Sequence, residues 1–310
     1  MVTSCFSLVS LAGGLLRRSI AAAGLSSQTA DIDGDTTIHF WGPPAATAKP
    51  KLILVHGFGP ASIWQWRRQV AFFAGEYDVY IPDLVFFGES FTRSPARSEV
   101  FQATCLARLM ENLGVTRYSV VGTSYGGFVA YRMAEMWPER VEKVVIASSA
   151  VNLRRSDNAR LMKQADVDKI EDLLLPVTAA QLRLSLRFVV SRPPPYVPDF
   201  VLNDFIDKLY SENRREKLEL LKELNIGKND TVTLSPLSQE VLIVWGENDQ
   251  IFLLEKAEEL KKYVFIQYSL SHLFLFPHEN HINIVLVVSI FRYPAILTRL
   301  PLQAIAFLRA

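Results

Sequence analysis

Cysteine is scarce. Cys5 and Cys105 are the two in 310 residues, too few and too far apart for a disulfide framework or a thiolate metal site. Their rarity fits a reducing compartment, so a cytoplasmic location is expected. Neither sign of charge dominates: 33 Lys and Arg stand against 32 Asp and Glu. That balance leaves no electrostatic footprint for nucleic acid or an acidic partner. No apolar run reaches the ~18 residues a membrane-spanning helix needs. The run Ile282 to Phe291 is too short, and membrane contact is not the expectation.

Acids are missing at both ends. None precedes Asp31, and Glu279 is the only one after Lys262. At the front, Met1 to Leu16 is apolar and small, and Arg17-Arg18 follows. A secretion signal carries its positive charge before its apolar run, so this order argues against one. The expectation is an amphipathic helix within an N-terminal extension, residues 1–30, folded on the domain. Organelle targeting by a basic, acid-poor leader is the alternative. What remains is a globular composition, 49% hydrophobic and 21% charged, long enough for a core plus an insertion.

Along the chain, Thr36 to Phe40 reads as an early strand, closed by Gly42-Pro43-Pro44. Lys51 to Val55, Asp78 to Pro82, Val141 to Ala147 and Val241 to Val244 are short apolar runs of the buried parallel kind. Ile63 to Phe73 and Ser98 to Leu113 carry helical periodicity between them. Alternation of strand and helix predicts an α/β class with a mainly parallel central sheet and helices on both faces. The rhythm breaks from Asn152 to Ser238, which is helical, charged and interrupted by Arg192-Pro193-Pro194-Pro195-Tyr196. The division expected is a core of 31–151 and 239–310 with an inserted helical lid, 152–238. The lid would cover the carboxyl ends of the strands, where open α/β sheets place ligands.

The chemistry centres on Val121-Gly122-Thr123-Ser124-Tyr125-Gly126-Gly127. A Gly-x-Ser-x-Gly between a β-branched run and a proline-free helix predicts a nucleophile elbow. Glycine is needed beside the serine because the turn is tight. The following helix aims free N–H groups at the reaction centre. Ser124 is the candidate nucleophile.

Together with His56-Gly57-Phe58-Gly59, the turn-rich loop Asp83 to Ser90 and Trp245-Gly246-Glu247-Asn248-Asp249, this motif resembles the α/β-hydrolase superfamily. The likeness is to the lid-bearing serine branch that includes meta-cleavage-product hydrolases and monoacylglycerol-lipase-like enzymes, notably plant members. It covers roughly residues 31 to 262. The resemblance implies backbone oxyanion donors at Phe58 and Tyr125, with Gly57, Gly59, Gly122 and Gly126 shaping loop and elbow. It assigns the orienting acid to Asp249 and makes His56 structural. Capping of the helix Phe252 to Lys262 is the alternative task for Asp249.

The catalytic histidine is open. The family pattern ends in a histidine turn and an amphipathic closing helix. Residues 263–310 depart from it and read as an alternative or retained exon, or a gene-model error. His278 leads at 29 positions after Asp249 (278 − 249), with His272 and His281 as competitors. Phe86, Phe87 and Phe58 are expected to line or floor the cleft, with simple core packing as the alternative, and Trp64 and Trp66 to pack. The function expected is a serine hydrolase acting on an ester or a carbon–carbon bond next to a carbonyl. Its substrate would be a small hydrophobic acyl or aromatic molecule, with no cofactor or metal. The alternative is an inactive hydrolase-like binding protein or a splice form without a working histidine.

Overall fold

The computed structural model describes residues 7–190, 196–264, 285–286 and 307–308. Its strands are β1 (Ser26–Asp31), β2 (Thr36–Gly42), β3 (Lys51–Val55), β4 (Asp78–Pro82), β5 (Phe91–Thr92), β6 (Tyr118–Thr123), β7 (Val141–Ala147), β8 (Glu240–Val244) and β9 (Val285–Leu286). They form one sheet in the order β1-β2-β4-β3-β6-β7-β8-β9, with β5 also on β2. The pairs β1/β2, β2/β4 and β2/β5 are antiparallel. From β4 to β9 every pairing is parallel.

The central strands are apolar without a polar face because both sides are covered. Leu52, Leu54, Val121, Val145 and Val244 point into one core. Their neighbours Ile53, Val55, Val120, Val144 and Ile243 point into the other. Helices α1 (Leu8–Ala22) and α2 (Ser62–Phe73) pack on the first face. Helices α3 (Glu99–Asn112), α4 (Tyr125–Met136) and α10 (Leu254–Val264) pack on the second. Between β7 and β8 the described chain is helical: α5 (Arg155–Ala165), α6 (Ile170–Leu174), α7 (Ala179–Val189), α8 (Asp199–Leu209) and α9 (Arg214–Glu223).

The N-terminal helix is seated on two partners. Ser7 caps it by accepting from the Ser10 N–H at 2.9 Å. The Ser7 hydroxyl and the Val9 N–H both donate to the Asp204 carboxylate of α8, each at 2.9 Å. Val9, Leu16 and Ile20 are buried on the core side. The extension is not helical throughout. Residues 26–31 form β1, whose polar Ser-Ser-Gln-Thr-Ala-Asp sequence alternates in burial as an edge strand does. Sequence patterning missed it because an edge strand with one solvated face needs few apolar residues.

Candidate active site

Parallel register brings the site together. Val55 pairs with Gly122, Thr123 with Ala147, and Ala147 with Val244. The chain therefore leaves four strands at one level of the sheet. The loop from His56, the turn at Ser124, Ser148 and the loop from Trp245 share that carboxyl edge, where ligands of open α/β sheets bind.

Ser124 sits at φ 51°, ψ −123°, immediately before α4. A positive φ is costly for a residue with a Cβ, by roughly 1–3 kcal/mol. Surrounding bonds hold it there. The Ser124 N–H donates to Ala147 O at 3.1 Å, and Ser124 O accepts from the Gly127 N–H at 2.9 Å. Ser149 Oγ donates to the same carbonyl at 2.6 Å. A side chain on Gly122 would strike the Gly126 carbonyl, and one on Gly126 would strike the carbonyls of Val55 and His56. The elbow thus needs glycine on both sides of the serine by close approach alone. Gly57 comes nearly as close: a Cβ there would lie 3.1 Å from the Ser124 Cβ.

A cavity of about 480 Å³ opens over this edge. Gly57, Phe58, Gly59, Ser124, Tyr125 and Asp249 all line it. Gly122 and Gly126 lie just beneath. Leu161, Phe188, Phe205, Tyr210 and Leu221, from the helices between β7 and β8, form the opposite wall. Such a lining accepts apolar groups and leaves few polar contacts to orient them.

Asp249 Oδ1 accepts from the N–H groups of Ile251 at 3.0 Å and Phe252 at 2.9 Å. These bonds hold the turn that precedes α10, whose first residue is Leu254, so Asp249 orders the approach to the helix and does not cap it. Burial nonetheless raises the Asp249 carboxyl above the usual carboxylate range, with hydrogen bonds from Phe252, Ser148 and Ile251 opposing it. Among the described residues no cation forms an ion pair with Asp249. His272, His278 and His281 lie outside the described residues.

The two described histidines are engaged elsewhere. His56 Nε2 accepts from the Leu84 N–H at 3.0 Å, so its proton is on Nδ1, which faces Gly57 O at 2.8 Å. Burial pushes its pKa down. Both ring nitrogens of His56 are thus taken up by backbone groups. His39 is the centre of a network the sequence did not reveal. Its Nδ1 meets Asp83 Oδ2 at 2.8 Å and its Nε2 meets Ser27 Oγ at 2.8 Å. Asp83 Oδ1 also accepts from the Ser62 N–H at 2.8 Å, at the start of α2. Burial opposes both charges, but the His39–Asp83 hydrogen bond and attraction prevail. They raise the histidine and hold the acid low.

Some aromatic expectations change. Phe86 and Phe87 belong to the buried core and do not line the cavity. Phe87 supports the wall from behind, its ring 5.3 Å from that of Phe58. Trp64 does line the cavity, against Phe205 at 5.9 Å, whereas Trp66 is fully buried. Their two-residue separation, which puts them on different helix faces, was the available signal.

A serine at positive φ between a parallel strand and a helix, on the carboxyl edge of a mainly parallel sheet, is the arrangement of α/β hydrolytic scaffolds. The sequence matches the family described as alpha/beta hydrolase fold over residues 50–286, and the chain belongs to that family. It is 26% identical over 251 residues to epoxide hydrolase 4 of Homo sapiens, covering 70% of this chain and 64% of the relative. The chain therefore spans less than two thirds of that relative's length. It is 25% identical over 242 residues to a 2-hydroxy-6-oxononadienedioate/2-hydroxy-6-oxononatrienedioate hydrolase of Pseudomonas sp., covering 76% and 84%. The fold matches a 2-hydroxy-6-oxo-6-phenylhexa-2,4-dienoate hydrolase structure from Rhodococcus sp. strain RHA1 with a TM-score of 0.67 and 19% identity, covering 92% and 96%. No described helix is long and apolar enough to cross a membrane.

Proposed function

We propose that the protein is a serine hydrolase that cleaves an ester, or a carbon–carbon bond next to a carbonyl, through an acyl-enzyme on Ser124. The observation that carries this reading is the strained Ser124 backbone on the wall of the cavity shared with Asp249 and the loop at 57–59. Strain of this kind persists where function retains it.

In this reading Ser124 Oγ attacks the substrate carbonyl as a histidine takes its proton. The N–H groups of Phe58 and Tyr125 receive the oxyanion, each such donor contributing about 3–4 kcal/mol. The histidine then protonates the leaving group, and water releases the acyl chain by the reverse path. Asp249 orients the histidine and stabilises its charged form. Burial alone raises its pKa, and a histidinium beside it would bring that pKa back down. His278 is the leading candidate for that base, ahead of His272 and His281. The helices between β7 and β8, within residues 152–238, act as a lid, and their apolar wall selects a hydrophobic acyl or aromatic group.

The epoxide hydrolase relative raises a rival chemistry. Epoxide opening through an ester intermediate needs a carboxylate at the elbow, and Ser124 stands there instead. The second reading is a binding protein without turnover, favoured by the departure of residues 263–310 from the family's closing pattern.

A fluorophosphonate probe tests the proposal. Wild type is labelled and Ser124→Ala is not. His278→Ala loses about 10³-fold or more in ester turnover, while His272→Ala and His281→Ala do not. Folded wild type that takes no label returns the binding-protein reading.

A further inference from the structure

Helix α1 is apolar on two sides. Val9, Leu16 and Ile20 face the core. Leu8, Leu11 and Leu15, spaced three and four apart, form a second row in solvent, at 40%, 54% and 57% exposure. A solvated row of leucines on a helix that is already well seated marks an interaction surface.

Charge narrows the partner. Residues 7–30 contain Arg17 and Arg18 and no acid. Arg18 is exposed and forms no ion pair among the described residues. Arg17 has a loose contact with Glu89 at 3.9 Å. The acid of α8 that touches α1, Asp204, binds its first turn, whereas Arg17 and Arg18 lie beyond Leu15. An apolar row with a basic end is the pattern of a helix lying in the plane of an anionic lipid surface.

The buried side of α1, opposite the leucine row, reaches the cavity wall. A Cβ on Gly13 would lie 3.5 Å from Trp64. Trp64 and Phe205 both line the cavity and pack edge to face.

We infer that the solvent face of α1 docks on an anionic lipid bilayer and so brings the cavity near membrane acyl esters. The docking stands on the surface alone; only the acyl-ester substrate rests on the hydrolase reading above.

The experiment is flotation of full-length protein with vesicles of phosphatidylcholine containing phosphatidylserine, done in the Ser124→Ala background so that turnover plays no part. The protein floats with the anionic vesicles. Leu11→Glu/Leu15→Glu lowers the bound fraction about tenfold or more, and Leu11→Ala/Leu15→Ala, which keeps the helix, lowers it in the same direction. Arg18→Glu and high salt weaken binding, as a surface charge effect requires. The leucine pairs made with Ser124 intact keep wild-type fluorophosphonate labelling. Three results overturn the inference: no flotation, flotation that the leucine pairs leave unchanged, or a wild-type dimer that the leucine pairs split, since the row would then join two copies. Absent fluorophosphonate labelling with intact flotation would sink the hydrolase reading and leave the docking standing.

Discussion

Asp83→Asn tests whether the buried network beneath the cavity holds its loop in place. In the wild type, Asp83 faces His39 at 2.8 Å and takes the Ser62 N–H at 2.8 Å. Both side chains are buried. The asparagine keeps the shape and can accept one bond, but it strands the imidazolium. Removing one partner of a buried charge pair costs about 3–5 kcal/mol. The sign of the pH dependence follows from the shifts. The Asp83 carboxyl is held below its ordinary value, so its stabilisation is present above the unfolded pKa of ~3.9 and lost as pH falls through the folded one. The His39 pKa is raised, so its stabilisation is full below ~6.5 and lost as pH rises through the folded value. The pair therefore contributes most between about pH 4 and 6.5. Urea unfolding of wild type, Asp83→Asn, His39→Gln and the double variant, at pH 6 and pH 9, gives the coupling energy. Coupling should exceed about 2 kcal/mol at pH 6 and shrink markedly at pH 9. Equal coupling on both sides of the His39 titration, followed by NMR, would refute the charged pair and leave only a neutral hydrogen bond.

Two further outcomes follow from the geometry. Gly126→Ala drives a methyl group into the Val55 and His56 carbonyls and should lower fluorophosphonate labelling by about tenfold or more, with stability reduced by about 2 kcal/mol; unchanged labelling kinetics would show that the elbow can give. Lys217 of α9 is buried over the Phe87 ring at 5.1 Å, and burial brings its pKa down to about 8. A folded pKa below the unfolded one makes the charge destabilising near neutrality, so Lys217→Met should add about 1–2 kcal/mol at pH 7. The gain should fade as pH climbs past 8 toward 10, and a melting-temperature series across that range checks it.

The parts legible in sequence are those whose burial leaves an unmixed signal. Lys51 to Val55, Asp78 to Pro82 and Val141 to Ala147 became strands with those bounds because a parallel strand covered on both faces is apolar along its buried stretch, with charge confined to the starting residues. The serine turn was legible because its tight packing tolerates little but glycine. What stayed hidden was distributed over distant positions. His39 and Asp83 are 44 positions apart, and nothing local to either announces a pair. Ser26 to Asp31 looks like a loop until its partner strand is known. Phe86 and Phe87 read as cleft residues because they adjoin a site loop. Their side chains turn to the core instead, with Phe86 at φ 74°.

The grip of Asp204 on Ser7 and Val9 has a mechanical consequence. It is a tether between the first helix and α8, whose Phe205 lines the cavity. If α8 swings outward to admit a ligand, that tether must either part, exposing a helix start and a carboxylate to water, or pull α1 along. Entry to the chamber and the posture of the amino-terminal helix are thereby geared to one another.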